Sequence, residues 1–354
     1  MIRVLLIGPL PPPMGGDTRH FATLVEDLRA NPGYRVTVVN TARGENYYSV
    51  LHNLATFLKT GWSLLTQGWR HDVISFHASD RGLLGFAPLV IAFARLFGKR
   101  TIFRVFGGSF GDYYRASPPR RRAWLRRFVL GADVCLVQTQ RMIAQLRGEG
   151  RGRLEWFSTY IRQAPPPADW HRGERCTRFV FLGHLWRTKG VETLLESAAR
   201  LPADVTIDLY GPQDEYSGET VDARGAGRVR YRGFLSHAEV ERKLWEYDCL
   251  VLPTFHEGEG YPGVIAEAFA HRLPVISTRW LAIPEIVDDT CGVLIEPRDA
   301  DAFVAAVSAL HADVARWRAL GDGAAARAAQ FDHAVWARKF EALCAAPRIV
   351  PGAA

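Results

Sequence analysis

The chain has 354 residues, of which 48% are hydrophobic and 23% are charged. These are globular proportions, and they exclude a disordered tail, a collagen-like fibre and a small disulfide-stapled module. The length predicts two domains, because one domain typically takes roughly 100–200 residues. The five cysteines form no C-x-x-C pair, which argues against a disulfide framework or a zinc site and favours a reducing compartment.

The formal net charge of +7 is unevenly distributed along the chain. Residues 1–165 carry 23 Lys and Arg against 10 Asp and Glu, whereas the remainder carries 21 against 27. This asymmetry predicts that the first half meets an anionic partner. The longest apolar stretch, residues 83–97, contains Arg95 and is shorter than the roughly 20 residues of a bilayer span. No signal-peptide pattern opens the chain, so we expect a cytoplasmic protein.

Short β-branched runs alternate with helix-like segments, a pattern typical of parallel sheets covered by helices. In the first half we predict strands at 3–7, 35–39, 72–76, 100–105, 133–137 and 153–156, and helices at 17–30 and 81–97. In the second half we predict strands at 178–182, 205–209, 229–231, 249–252, 274–277 and 292–295, and helices at 191–200 and 237–245.

A proline-rich segment, residues 163–169, separates the two series, since proline cannot continue a helix or a central strand. We therefore predict domains at 1–165 and 166–330, with a last helix at 331–345 that can pack back on the first domain. The predicted fold class is α/β, with two doubly wound domains facing each other across a cleft. Ligands are expected at the carboxyl ends of the strands.

The most informative segment, residues 253–268, joins a predicted strand to a predicted helix through a glycine-rich turn. Such a turn collects unpaired N–H groups and the positive end of a helix dipole, which suits a diphosphate. Glu259 lies in the turn and Glu267 in the helix, and carboxylates accept hydrogen bonds from vicinal sugar hydroxyls. Alone, two such glutamates are more often ordinary surface residues. In their flanking sequence they predict a nucleotide-sugar site.

A second glycine-containing turn follows the first predicted strand. Gly15 and Gly16 open a predicted helix there, and glycine lets the backbone approach a phosphate closely. The alternative interpretation is a loop glycine pair without a ligand.

The spacing Glu259-x7-Glu267, with residues 268–276 after it, resembles the signature of retaining GT-B glycosyltransferases of family 4. Further motifs of that family occur in order at 12–16, at the strand leading to His77, and at 105–108, 181–190, 209–212, 233–235, 248–253 and 283–287. The resemblance covers nearly the whole chain. It implies a GT-B fold of two Rossmann-like domains and a retaining, metal-independent hexosyltransferase. Such an enzyme moves a sugar from a nucleotide-diphosphate sugar to a hydroxyl of a glycan or lipid-linked acceptor in polysaccharide or glycolipid biosynthesis.

The resemblance also implies roles for individual residues. Glu267 would hold the ribose hydroxyls, and the backbone amides of Gly263 and Val264 would cradle the diphosphate. Phe234 and Leu235 would line the base pocket, although a plain packing role fits them equally. The implied catalytic residues are His77, Lys189 and Glu259. The implied donor-binding residues are Gly15, Gly16, Gly183, His184, Arg187, Lys189, Gly211, Phe234, Leu235, Glu259, Gly260, Gly263, Val264 and Glu267.

Two positions depart from the family pattern. His184 stands where many relatives have an arginine that assists the diphosphate, and Phe106 stands where relatives often carry a histidine. Arg187 could supply the missing charge. No Asp-x-Asp ends a predicted strand, so we expect no metal site and no cofactor beside the donor substrate. Fixed amides and Lys189 would instead stabilise the leaving group.

A cluster of arginines with interleaved aromatic residues accounts for much of the positive charge. Aromatic and apolar residues also fill the segment 47–58 and recur at Trp62 and Trp69. Together they predict an acceptor-side surface for anionic lipid on the inner face of the cytoplasmic membrane. The alternative is a solvated basic helix packed on the core. Nucleic acid is not expected, because no recognition motif accompanies the charge. The cluster comprises Arg120, Arg121, Arg122, Trp124, Arg126 and Arg127.

Two other functions stay open from the sequence. One is a nucleotide-sugar epimerase or a glycosyl phosphorylase on the same fold, against which the Glu-x7-Glu signature argues. The other is an inactive glycan- or membrane-binding homologue, which the presence of Glu259, Glu267 and Lys189 disfavours.

Overall fold

The computed structural model describes residues 1–12, 15–42, 50–163 and 165–347. Its strands are β1 (Ile2–Gly8), β2 (Tyr34–Asn40), β3 (Val73–Ser79), β4 (Arg100–Phe106), β5 (Val134–Val137), β6 (Arg153–Trp156), β7 (Arg178–Leu182), β8 (Thr206–Tyr210), β9 (Val229–Tyr231), β10 (Cys249–Leu252), β11 (Val275–Thr278) and β12 (Gly292–Ile295). Its helices are α1 (Gly16–Ala30), α2 (Val50–Gln67), α3 (Asp80–Leu96), α4 (Phe110–Ala116), α5 (Pro119–Phe128), α6 (Gln140–Leu146), α7 (Val191–Ser197), α8 (Gly218–Arg224), α9 (His237–Lys243), α10 (Gly263–Ala270), α11 (Ala300–Ala312), α12 (Val314–Ala328) and α13 (His333–Ala345).

The chain divides into two compact units. The first holds residues 1–160 and the chain from residue 333 onward, and the second holds residues 161–332. The predicted domain boundary at 165 and 166 lies shortly after this division. The last helix, α13, belongs to the first unit.

The first unit is a parallel sheet in the order β2-β1-β3-β4-β5-β6, with a hydrophobic core on each face. Leu64, Val90 and Leu125 cover one face from α2, α3 and α5. Phe21 and Phe340 cover the other from α1 and α13. Because both faces are buried, the strands carry the continuous apolar runs by which the sequence predicted them.

The second unit is a parallel sheet in the order β12-β11-β10-β7-β8-β9. This is the doubly wound Rossmann order, with the first strand of the unit, β7, between β8 and β10. The strand order therefore reverses between β7 and β10. Ligands of such sheets bind outside the carboxyl ends of the strands at this reversal.

All twelve predicted strands are present in the described residues, five of them with the predicted bounds. One prediction was wrong in a way that matters for the site: His77 was expected to lie at the end of the strand that contains residues 72–76. Instead β3 continues to Ser79, because residues 77–79 pair in parallel register with residues 104–106 of β4.

No helix in the described part of the chain has both the length and the apolar composition needed to cross a membrane. The five cysteines are all buried free thiols, and burial raises the pKa of Cys135 to about 12. A thiol with so high a pKa stays protonated and unreactive at neutral pH.

Candidate functional site

Three strands of the second unit end in glycines that lie against one another. Gly183, Gly211 and Gly233 follow β7, β8 and β9. The N–H of Gly183 donates to the carbonyl of Tyr210 (3.1 Å), and that of Gly211 donates to the carbonyl of Gly233 (3.0 Å). Gly211 has φ +148°, and a Cβ there would lie 1.9 Å from the Gly183 carbonyl oxygen. Bare backbone therefore lines this edge of the sheet, where a ligand can approach closely.

Two loops meet beside this edge, after β7 and after β10. The N–H of Phe255 and the hydroxyl of Thr254 both donate to the carbonyl of Thr188, at 2.7 and 3.2 Å. Gly190 has φ +90°, and a Cβ there would lie 2.2 Å from the Pro253 carbonyl oxygen. The close approach that glycine allows brings Lys189 next to the turn after β10.

Lys189 forms an ion pair with Glu259. Its Nζ lies 2.7 Å from both carboxylate oxygens, and the two side chains are 18% and 6% exposed. The turn holds Glu259 in place, because its backbone N–H donates to the carbonyl of His256 (3.1 Å). An ammonium group has three N–H donors, so this pair can use two and leave one for another acceptor.

The helix that follows the turn, α10, starts at Gly263 after the N-cap Pro262, which offers no side-chain cap to the first-turn N–H groups. Gly263 and Val264 are half-buried, and Gly260 in the turn is buried. Glu267 lies about one turn into the helix with only 7% of its surface exposed. Both glutamates of the signature are thus buried, and both belong to the same turn and the helix that follows it.

His184 and its neighbours form an aromatic cluster on the loop after β7. The Nδ1 of His184 lies 2.7 Å from Asp214 Oδ2, and its ring stacks on Trp186 with centroids 4.4 Å apart. Trp186 also contacts the ring of His256 at 5.4 Å. Burial, and secondly the charge of Lys189, hold the pKa of His256 below its usual value. His184 therefore contacts an acidic side chain. The family pattern, which has an arginine at this position, did not predict this contact.

The remaining predicted donor-binding residues lie on the loop after β7, beyond β9 and at the start of α1. Arg187 is exposed, and its backbone N–H donates to Glu215 (2.6 Å). Phe234 is 63% exposed and Leu235 half-buried, beyond the end of β9. In the first unit, Gly15 caps α1 and Gly16 opens it, and both are exposed. A Cβ at Gly16 would meet no described atom within 4 Å.

His77 lies inside β3 and is completely buried, not at the strand end. The hydroxyl of Ser75 donates to the carbonyl of Ile102 (3.1 Å), so it accepts the Nε2–H of His77 at 2.8 Å. The other ring nitrogen, Nδ1, has no hydrogen-bond partner among the described residues. Burial and the nearby Arg104 hold the pKa of His77 well below its usual range. The ring is therefore neutral, with a free lone pair on Nδ1.

Arg104, the parallel register partner of His77, is a residue that the sequence analysis missed. It is 2% exposed, and its guanidinium lies over the rings of Phe106 and Phe157 at 4.8 and 4.7 Å. Its Nη1 donates to the hydroxyl of Tyr160 (3.0 Å). It could have been found from the sequence as a charged residue between two pairs of apolar residues, at 102–103 and 105–106.

The arginine cluster lies on α5. Arg120, Arg121, Arg126 and Arg127 are exposed, Arg122 and Trp124 are half-buried, and Leu125 is buried in the core. Trp124 packs against that core, so only part of its ring is exposed. Of the aromatic segment 47–58, Tyr47 and Tyr48 lie outside the described residues.

No three His, Cys, Asp or Glu side chains in the described ranges come together in a way that could hold a metal ion. Metal independence of the reaction stays a prediction.

Comparison with known proteins finds a family match within the second unit. Residues 176–313 match the family model of the glycosyl transferases group 1. This match lies within the second unit and covers less than half of the chain. Similar curated proteins include the MMP alpha-(1→4)-mannosyltransferase of Mycolicibacterium hassiacum, 29% identical over 40% of this chain and 36% of that protein. The D-inositol 3-phosphate glycosyltransferase of Geodermatophilus obscurus is 27% identical over 62% of this chain and 54% of that protein. The matches therefore span about a third to a half of these glycosyltransferases.

Solved structures resemble nearly the whole chain. A sucrose-phosphate synthase from Thermosynechococcus elongatus superposes with a TM-score of 0.73 at 19% identity, covering 97% of this chain and 98% of that one. Anabaena HepE in complex with UDP and glucose gives a TM-score of 0.72 at 15% identity, covering 98% and 100%. The chain has the GT-B fold.

Proposed function

We propose that the protein is a hexosyltransferase that moves a sugar from a nucleotide-diphosphate sugar to a hydroxyl of a glycan or lipid-linked acceptor, in polysaccharide or glycolipid biosynthesis. The Lys189–Glu259 pair beside a bare glycine edge carries this proposal. It sits where a doubly wound sheet binds ligands, and it lies within the segment that matches the group 1 family. The mannosyltransferase relative and the UDP complex of HepE support it.

The donor is assigned to the turn–helix element of the second unit. The first-turn amides of α10, at Gly263 and Val264, receive the diphosphate, because a helix N-terminus offers N–H groups and a positive dipole. Glu267 accepts hydrogen bonds from the ribose hydroxyls and Glu259 from the donor sugar. Lys189 places its remaining N–H toward a phosphate oxygen.

The transfer proceeds with retention of the anomeric configuration and without a metal ion. The bond between the anomeric carbon and the diphosphate oxygen breaks, and a bond to the acceptor hydroxyl oxygen forms on the same face. The acceptor proton passes to an oxygen of the leaving diphosphate. Lys189, the α10 amides and Arg187 stabilise the charge that develops there, and fixed donors do so without reorganising during the reaction.

His77 is assigned to the acceptor half of the reaction. Its neutral ring can accept a hydrogen bond at Nδ1 from a substrate hydroxyl. Because the ring is completely buried among Phe21, Phe106 and Phe340, such a hydroxyl must displace one of these side chains to reach Nδ1.

The first unit is assigned to an anionic membrane surface. Four exposed arginines on α5 and exposed apolar residues on α2, among them Trp62 and Leu65, support this assignment. Basic residues near such a surface contribute about 1 kcal/mol each, and exposed apolar side chains can enter the headgroup region.

The test is turnover of a panel of nucleotide-diphosphate sugars with glycan and lipid-linked acceptors. We expect acceptor-dependent release of nucleoside diphosphate, a product with the donor's anomeric configuration by NMR, and unchanged rates in EDTA. Glu259→Gln and Lys189→Met should each lower turnover at least about tenfold, or roughly 1.4 kcal/mol. Glu257, which is exposed, and Lys243, which is half-buried and pairs with Glu246 (2.7 Å), provide matched controls, as Glu257→Gln and Lys243→Met. A changed nucleotide sugar without any acceptor would support the epimerase alternative and overturn the proposal.

A further inference from the structure

His256 contacts both segments that carry the Lys189–Glu259 pair, and the proposed function gives it no role. It is half-buried and follows β10, in the same turn as Glu259, whereas Lys189 lies on the loop after β7. A residue bonded to both segments can fix how far apart the two charged side chains lie.

The main chain of His256 organises the turn after β10. Its carbonyl accepts the backbone N–H of Glu259 at 3.1 Å and the indole N–H of Trp280 at 2.8 Å. Its own N–H donates to the hydroxyl of Thr254 (3.2 Å), and that hydroxyl donates to the carbonyl of Thr188 (3.2 Å). The backbone of His256 therefore fixes Glu259 and is connected to the loop after β7.

The imidazole of His256 contacts the residues that lead into Lys189. Its Nδ1 lies 3.2 Å from the hydroxyl oxygen of Thr188, and its ring packs on that of Trp186 with centroids 5.4 Å apart. The carbonyl of Trp186 in turn accepts the backbone N–H of Lys189 (3.0 Å). The ring thus holds the segment 186–188, whose position determines where Lys189 begins.

The loop after β7 is also fixed on the side of β8. The ring of Trp186 stacks on that of His184, whose Nδ1 lies 2.7 Å from Asp214 Oδ2. The N–H of Leu185 donates to the carbonyl of Pro212 (3.0 Å). The segment 184–188 is therefore held between the loop after β8 and the turn after β10, and His256 supplies the contacts of its imidazole to the second of these.

The charge state of the ring suits this role. Burial, and secondly the charge of Lys189, hold the pKa of His256 below its usual value; His184 acts in the same direction, and Glu259 and Glu257 act against it. A neutral imidazole offers one donor and one acceptor nitrogen. At neutral pH the ring can therefore bond a hydroxyl without placing a second positive charge beside Lys189.

A displaced Lys189 should affect the rate of transfer more than the binding of the donor. The proposed function gives this lysine the task of stabilising charge that develops on the leaving diphosphate, and such an interaction is strongest in the transition state. A misplacement of about 1 Å can cost about 100-fold in rate. The first-turn amides of α10 also bind the diphosphate in that proposal, so donor binding depends less on the lysine alone.

We propose that His256 is a positioning residue of the transfer reaction, which keeps Lys189 and Glu259 at the separation that the leaving diphosphate requires. Its ring acts on Lys189 through the preceding residues of the loop after β7, and its carbonyl acts on Glu259. The inference rests on the proposed function and deepens it, because it names a residue that acts through the charged pair.

The first test needs no substrate. Urea unfolding of the full chain gives the coupling between Lys189 and Glu259 from a double-mutant cycle of Lys189→Met and Glu259→Gln, in the wild type and in two His256 variants. We expect this coupling to fall to less than about half in the His256→Leu background. It should persist in the His256→Asn background, because an amide can bond the same hydroxyl. His171→Leu, at an exposed position, is the control background. An unchanged coupling in His256→Leu overturns the proposal.

The second test is kinetic, with UDP-glucose and GDP-mannose as donors and octyl glucoside and octyl mannoside as acceptors. His256→Leu and Thr188→Val should each lower kcat at least about tenfold while the donor KM changes less than about threefold. The double variant should lose no more than the larger single loss, since both changes remove the same hydrogen bond. His256→Asn should keep kcat within about threefold of the wild type.

The kinetic outcomes separate positioning from a general loss of structure. Equal losses of kcat in His256→Asn and His256→Leu, or a raised donor KM with kcat unchanged, overturn the proposal. If the wild-type protein turns over neither donor, the proposed function fails for these substrates. The coupling measured by unfolding then still decides whether His256 positions the pair.

Discussion

The Nζ of Lys189 lies 2.7 Å from each carboxylate oxygen of Glu259, a residue 70 positions further along the chain. The two side chains meet because the loops after β7 and β10 approach each other at Gly190 and Pro253. The pair keeps a cation and a carboxylate fixed at the sheet edge before any ligand arrives. Preorganised charges of this kind need no rearrangement when charge develops on a leaving group.

Breaking this pair should cost unequal amounts of stability. Lys189→Met leaves Glu259, 6% exposed, without its cation, and we expect the free energy of unfolding to fall by about 3 kcal/mol. Glu259→Gln should cost less, because the lysine is 18% exposed and can turn toward water. Urea unfolding of both variants and of the double variant measures the difference. Equal, additive losses would contradict the pairing as described.

Gly211 should tolerate no side chain. Gly211→Ala places a Cβ 1.9 Å from the Gly183 carbonyl, so the ends of β7 and β8 must move apart, and we expect a loss of at least about 2 kcal/mol in unfolding free energy. Gly233→Ala is the matched control. It has φ +93° but no described atom within 4 Å of its Cβ, so only the backbone strain of about 1–2 kcal/mol applies. Similar losses in both variants would show that the contact between Gly211 and Gly183 is not the cause.

Stability should fall in mild acid because of two buried histidines. Burial, with Arg104 second, lowers the pKa of His20 and of His77 well below 6.5. Below about pH 6.5 each ring binds a proton in the unfolded chain and not in the folded one, so the free energy of unfolding decreases as pH falls. The slope is at most about 1.4 kcal/mol per pH unit for each histidine.

The pH dependence can be assigned with one substitution. His77→Gln removes one of the histidines whose pKa is lowered, so it should reduce the loss of stability as pH falls below about 6.5. His171→Gln, at an exposed position, is the control. An unchanged slope in His77→Gln would mean that this ring is not held neutral.

Anionic vesicles should bind the first unit through α5. Replacing Arg120, Arg121, Arg126 and Arg127 with glutamine removes four exposed charges, each contributing about 1 kcal/mol, and should weaken vesicle binding at least about tenfold. Flotation at low and moderate salt measures it, with the exposed Arg316 and Arg318 of α12 replaced as the control. If the wild type floats with anionic vesicles at neither salt concentration, the basic cluster is only a solvated helix.

The sequence predicted local features of this protein better than it predicted contacts between distant residues. The strands and the start of α10 could be predicted because apolar runs and glycine turns act over a few residues. The Lys189–Glu259 pair could not, since it depends on two loops that meet only after the sheet forms. The same limit applies to His77: its burial follows from pairing with Arg104 on the neighbouring strand, where residue pattern alone placed it at a strand end.

From the sequence, the residues of α2 could be described only as rich in aromatic and apolar side chains, without assignment to a face of the helix. The helix shows that Asn53 and Leu54, adjacent in sequence, belong to different surfaces: Asn53 lines a pocket at the carboxyl ends of β1, β2 and β3, and Leu54 is exposed. Periodicity can assign residues to faces of a helix, but only the packed unit shows which face stays uncovered.

The central claim is that the second unit binds a nucleotide-diphosphate sugar at the glycine edge and α10. The most direct measurement is the thermal stability of the protein with a panel of nucleoside diphosphates and their sugars. A donor at 100 times its dissociation constant should add about 2.7 kcal/mol to the free energy of unfolding. Glu267→Gln should lose most of this gain, whereas Glu257→Gln should keep it. No shift with any nucleotide or nucleotide sugar, in a folded wild-type protein, would contradict the claim.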